Sequence, residues 1–374
     1  MKPKVIVISV EVYTNKTKNK NLQNDFEKNG YEFEYWYIGN LHLYFGHAQS
    51  PLKSATGFKS FKSISEVEKE LISLKGDFIS IIQFPLNHKT EKILRILHNK
   101  AMNIIRIDMN QTISTFGESF NRKDYWMGLL KSPRKLIFNL RTKFALKRLE
   151  KNGVLAKIKT FQTGTKYSEE FSITFDDVYT YNRLQKSDNS YLKLPERFIV
   201  FVDNSMPDHP DFKAHGVKTI EAKKYYRKIN AFFDKIEKST GIEVIIAAHP
   251  KSQHKDEYKH RKIYKGITAE LIKSCSAVLN HYSSCIGYTT LFKKPLIYIY
   301  TDEFLIRGSF LAGILKKMHF QAEYLNALII NIEHEKPHIP EINIERYNKF
   351  IKEYLLAKEY PKTNYEIIEN FLQK

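Results

Sequence analysis

Cysteine is nearly missing: Cys275 and Cys285 are the two in 374 residues. Two thiols cannot build a disulfide framework or a Cys-rich zinc site. They fit a reducing cytoplasm. Glycine (15) and proline (12) are sparse as well, which excludes collagen-like and low-complexity chains. No long apolar run is present. The longest uncharged window, residues 274–292, carries Ser, Thr, Asn and His throughout, whereas a membrane span needs about 20 apolar residues. The apolar run after the N-terminal MKPK is too short for the core of a secretory signal. Acidic residues are the minority, 41 Asp+Glu against 60 Lys+Arg, giving a formal net charge of +19. That excess points to an acidic partner: nucleic acid, anionic lipid or a phosphorylated substrate.

What is present is enough for large cores. The chain is 42% hydrophobic and 13% aromatic, so wholesale disorder is excluded. Its length predicts two domains. In the first half, residues 4–10, 31–38, 78–84 and 102–107 read as buried strands, and residues 21–29, 67–74 and 90–99 as helices. Residues 157–162 and 177–181 read as two short strands. Residues 185–195 (QKSDNSYLKLP) read as a linker. A second alternating series follows, with strands at 198–202, 243–247, 277–279 and 296–300 and helices at 222–239, 269–275 and 285–292. Residues 344–358 and 364–372 read as two terminal helices. The expected fold is α/β, two Rossmann-like domains facing across a cleft with a C-terminal helical tail. The boundaries are 1–190, 191–335 and 336–374. No GxGxxG follows the first strand and no Walker A loop occurs, so dinucleotide and P-loop readings lose their main support.

Three stretches carry candidate chemistry. IIAAHPK runs a buried strand into His249, Pro250 and Lys251. Ligands of open α/β sheets bind beyond the carboxyl ends of strands, and Pro250 holds the preceding His in extended geometry. An imidazole and an ammonium there suit a phosphate. LNHYSSCIGYTTL places Ser283 and Ser284 at an expected helix start, where free N–H groups and the helix dipole favour an anion. FVDNSMPDHPD gathers Asp203, Asp208, His209 and Asp211, a composition that turns also have.

The order HP, then two hydroxyl residues about thirty positions later at a helix start, resembles the GT-B bacterial sialyltransferases. It is also similar to the wider set of surface-polysaccharide glycosyltransferases that use CMP-activated sialic, pseudaminic or legionaminic acids or Kdo. The likeness covers roughly residues 198–300. It implies that His249 contacts the CMP phosphate, that Ser283 and Ser284 hold the same phosphate, and that Lys251 adds charge. In GITAE, with Gly266 and Thr268 leading into a helix, Glu270 would bind the ribose. The acidic D/E-D/E-G triplet that supplies the acceptor base in such sialyltransferases is absent, since Asp176–Asp177 is followed by Val. The base stays open among Glu11, Asp108 and Asp203. No DxD triplet occurs, and a CMP-sugar leaves with less charge than a diphosphate, so no metal and no cofactor is expected.

Residues 131–151 hold eight Lys/Arg against Glu150. Leu136, Ile137, Leu140 and Phe144 fall at helical spacing, with Trp126 just before. Such a helix can pack on its own domain or lie on an anionic membrane, which would suit a lipid-linked glycan acceptor at the inner face of the cell membrane. Two other readings stay open: a transferase using a UDP-sugar or CDP-polyol donor, and a basic nucleic-acid-binding protein. Against the second, no helix-turn-helix, RRM or KH signature occurs, so no specific nucleic acid is expected.

Overall fold

The computed structural model describes residues 2–41, 57–109, 133–188, 192–207, 220–250, 252–254 and 256–374. Seven strands form the first sheet: β1 (Lys4–Ser9), β2 (Phe33–Tyr37), β3 (Phe58–Ser60), β4 (Phe78–Gln83), β5 (Asn103–Asp108), β6 (Ile158–Thr163) and β7 (Ser172–Ile173). Their order is β3-β2-β1-β4-β5-β6-β7 and every pairing is parallel. Parallel strands need helical crossovers. They are α1 (Asn15–Lys20), α2 (Gln23–Lys28), α3 (Ile64–Ser73), α4 (Glu91–Lys100), α5 (Pro133–Lys151) and α6 (Val154–Lys157).

The strand pattern explains the two-sided burial. Val5, Val7, Tyr35, Tyr37, Ile79 and Ile81 enter one core, and Ile6, Ile8, Trp36, Phe78 and Ile82 enter the other. Successive side chains point to opposite faces, so a continuous apolar run fills both layers. That is why these strands were readable as unbroken runs.

After α7 (Asp176–Gln185) comes the second sheet: β8 (Phe198–Val202), β9 (Glu243–Ala248), β10 (Ile263–Lys265), β11 (Ala277–Asn280), β12 (Leu296–Tyr300) and β13 (Leu328–Asn331). The order is β10-β9-β8-β11-β12-β13, again all parallel. Its helices are α8 (Ala222–Thr240), α9 (Thr268–Ser274), α10 (Ile286–Leu291) and α11 (Phe310–Leu325). The architecture is therefore two parallel-sheet, Rossmann-like α/β domains with helices at the C-terminal end, as the alternation of elements predicts.

Residues 177–181 depart from expectation. They lie inside α7, not in a strand. Asp176 and Asp177 fill its first turn, where carboxylates favour the positive end of a helix. Val178 and Leu184 are its buried apolar residues. The tail departs too. α12 (Ile344–Phe350) runs into a π-helical turn, Ile351–Leu355, and the chain then extends before α13 (Asn364–Leu372).

The π-helical turn and α13 hold the tail to the first domain. The N–H groups of Phe175 and Lys166 donate to the carbonyls of Leu355 (2.8 Å) and Glu353 (2.9 Å). The Asn364 side chain brackets Thr174, accepting from its N–H at 2.7 Å and donating to its carbonyl at 2.8 Å. Tyr365, Ile367 and Ile368 of α13 sit in the core of the first sheet, and Tyr31 donates to Glu369 at 2.7 Å. Meanwhile Tyr347 and Phe350 of α12 sit in the core of the second sheet. One segment thus links both cores. Among the described residues no helix is long and apolar enough to cross a membrane.

Candidate functional site

Each sheet has a point where the strand order reverses direction. In the first it lies between β1 and β4, in the second between β8 and β11. Crevices form there because the crossovers leave on opposite faces, and ligands bind outside the carboxyl ends of the strands. Glu11 follows β1, at the first of these points. His281 to Ser284 follow β11, at the second.

Four consecutive loops line the carboxyl edge of the second sheet. Gly266 follows β10, His249 and Pro250 follow β9, Asp203 follows β8, and Ser283 and Ser284 follow β11. Spatial order differs from chain order. His249 and Ser283 are not at adjacent strand ends, because β8 lies between β9 and β11. At about 4.8 Å per strand, the two loops stand roughly 10 Å apart.

The β8 loop ties its neighbours together. Asp203 N–H donates to the Ala247 carbonyl at 3.0 Å, and Asn204 Nδ2 donates to the Tyr282 carbonyl at 2.7 Å. The Asp203 side chain is wholly enclosed. Its Oδ1 accepts from Ser205 N–H at 2.7 Å and its Oδ2 from His254 Nε2 at 2.6 Å. Ser205 has φ of 48°, a left-handed conformation rare outside glycine. Asp203 therefore reads as a positioning carboxylate. Neither of its oxygens faces solvent.

His249 is half-buried and Pro250 exposed. The His249 carbonyl accepts from both Ser252 N–H (2.9 Å) and Ser252 Oγ (2.8 Å). Lys265 Nζ in turn donates to the Ser252 carbonyl at 2.9 Å. The HP loop is thus pinned to the edge strand. Lys251, Asp208, His209 and Asp211 lie outside the described residues. Gly266 is exposed at φ of 83°. Thr268 opens α9, and Glu270 lies half-buried in its first turn.

The serines are not helix caps. α10 begins at Ile286 with Cys285 as its N-cap. Ser283 Oγ accepts from Cys285 N–H at 3.3 Å, and the exposed Ser284 offers its carbonyl to Gly287 N–H at 3.3 Å. A further residue occupies this place. The Asp177 carboxylate from α7 lies against Gly287, so close that a Cβ there would collide with its Oδ2. The positive end of α10 therefore already faces a carboxylate of this chain. Burial, with the Asp177 carboxylate nearby, pushes the Cys285 thiol up to about 11. Cys275 is pushed by burial to about 12. Both thiols stay protonated at neutral pH.

On the first sheet, Glu11 Oε1 receives Lys20 Nζ at 2.7 Å, and Tyr35 OH donates to the Glu11 carbonyl at 2.9 Å. Asp108 ends β5, half-buried, two strands from β1. Sequence reasoning missed His254 and Asp177 as parts of the site. His254 has no motif, five residues beyond His249 in a polar stretch. Asp177 was hidden by assigning its segment to a strand.

Beneath the β11 loop lies His281, fully buried. Its Nδ1–H donates to the Ile299 carbonyl at 2.5 Å, and Nε2 accepts from Tyr225 OH at 2.8 Å. Burial lowers its pKa from 6.5 to about 4. Because the folded pKa is depressed, its contribution is complete above pH 6.5 and is lost as pH falls toward 4, by about 3 kcal/mol. His281→Gln, which keeps one donor and one acceptor, is expected to flatten that part of the stability profile. Urea unfolding at pH 7 and pH 4.5 measures it; an unchanged slope contradicts the assignment.

No family profile matches the sequence, and comparison with curated proteins finds no relative. Solved structures do match along the whole chain. A variant of the wall teichoic acid polymerase TagF is 13% identical, covers 100% of this chain and 89% of its own, and has a TM-score of 0.49. The spinosyn forosaminyltransferase SpnP is 9% identical, with full coverage of both chains and a TM-score of 0.46. The UDP-GlcNAc 2-epimerase of Methanocaldococcus jannaschii is 13% identical over 99% of this chain and 100% of its own, with a TM-score of 0.44.

Proposed function

We propose that this chain is a nucleotide-sugar-dependent glycosyltransferase of GT-B type. The donor class we assign is a CMP-activated nonulosonic acid or Kdo. The acceptor is a bacterial surface glycan or its lipid-linked precursor, met at the inner face of the cell membrane. The observation that carries the reading is that His249, Glu270 and Ser283 all follow strand ends on one carboxyl edge, with Ser283 at the β8/β11 reversal. His249 would sit by the phosphate and assist its departure. The hydroxyls of Ser283 and Ser284 would hold phosphate oxygens. Glu270 would take the ribose, as an acid accepts from vicinal hydroxyls. Glu11, at the reversal point of the other sheet and ion-paired with Lys20, is the preferred base.

Release of CMP from a CMP-nonulosonic acid or CMP-Kdo, in the presence of a lipid-linked glycan, tests this reading. His249→Ala is expected to lower the rate by about 10²–10⁴-fold, the usual worth of a positioned acid–base group. The Ser283→Ala/Ser284→Ala variant is expected to weaken donor binding. Full activity in both variants would overturn the site.

A further inference from the structure

α5 has two faces of different use. One is packed: Ala145 and Leu149 are buried. The same side meets His88, whose Nδ1 lies 3.1 Å from Thr142 Oγ1 and whose ring stands edge-on to Phe138 at 4.8 Å. Arg148 adds an ion pair with Glu91 at 2.6 Å. The sequence left the other apolar stripe open to packing or to a membrane surface. Ile137, Leu140 and Phe144 are 51%, 46% and 58% exposed. A helix turns about 100° per residue, so these three share a sector of about 60°. On that geometry Arg134 and Arg141 flank the stripe on one side, Lys143 and Lys147 on the other. All four are exposed, and the helix's one acid, Glu150, falls outside the stripe.

We propose that this face of α5 docks on an anionic lipid bilayer. Three large apolar side chains held in water and edged on both sides by cations fit a surface that is apolar inside and negative outside. The contacts to His88, Glu91 and the domain core keep the helix fixed, so the face is presented rather than folded in. α5 is in the crossover from β5 to β6, which puts its first turns at the carboxyl edge that carries Glu11 and Asp108. Docking would therefore bring that edge to the lipid surface. The orientation toward an acceptor rests on the proposed transferase reading, whereas the docking face does not.

Cosedimentation of the full chain with vesicles tests it. Phosphatidylcholine vesicles containing about one third phosphatidylglycerol should pull the protein down, and pure phosphatidylcholine should not. Ile137→Ser/Leu140→Ser/Phe144→Ser and Lys143→Gln/Lys147→Gln should each weaken binding at least about tenfold. These side chains are exposed, so unfolding should stay unchanged in urea. Equal binding to both vesicles, or full binding by the triple variant, would overturn the proposal. So would a wild-type dimer in sedimentation velocity that the triple variant dissolves, since the face would then belong to a second copy. Nucleotide binding by these variants should equal wild type, so loss of docking and loss of the transferase reading are read separately.

Discussion

Asp203→Ala is expected to destabilise the chain by roughly 3–5 kcal/mol, the cost of stranding the partners of a buried carboxylate. The Ser205 N–H and the His254 imidazole both depend on that side chain, and neither regains water on its loss. Ser205 also holds left-handed backbone that its bond to Asp203 stabilises. Asp203→Asn keeps an acceptor for Ser205 and should cost less than the alanine. A second readout separates position from mere stability. Because Asp203 and Asn204 join the HP loop to the β11 loop, Asp203→Asn should weaken nucleotide binding even below its melting point. Urea titration and calorimetry measure the two. A loss under about 1 kcal/mol in the alanine variant would show that the β8 loop is not held this way.

The second large effect is at the junction of the two cores. Gly164 follows β6 with φ of 72°, and a Cβ there would stand 2.5 Å from Tyr354 Cα and closer still to the Glu353 carbonyl. Both obstacles are backbone, so neither can swing aside. Left-handed strain costs about 1–2 kcal/mol and overpacking a further 1–3, so Gly164→Ala should cost roughly 2–5 kcal/mol. Gly76 is the control: φ is 79° but nothing lies within 4 Å of its Cβ position. Gly76→Ala should show the conformational cost alone. If the two variants unfold at the same urea concentration, the tail does not press on Gly164.

These expectations show what the sequence held. Buried parallel strands are legible because both faces are apolar: KVIVIS and FIVFV announce themselves. Short strands with exposed residues, β3 and β10, offer no such run. Residues 301–343 give no clear signal for α11, and α7 reads as a strand because VYTY has β-branched and aromatic character. At the site, HP and SS were found through their placement at strand ends. What lay between them was not legible, since spatial order depends on a crossover that sequence order conceals. The Asp203–His254 bond joins residues 51 apart, and Asp177 approaches Gly287 from 110 residues away. Neither leaves a local pattern. In α5 the apolar stripe was legible, but whether it packs or faces water was not; Ala145 and Leu149 do the packing.

Calorimetric titration with CMP, beside UDP and CDP, decides whether this chain takes a CMP-activated donor at His249. CMP is expected to bind in preference to the other two, and His249→Ala to abolish the heat while unfolding at the wild-type urea concentration. Absence of binding by any of the three at millimolar concentration, or CMP binding unchanged by His249→Ala, would contradict that donor assignment.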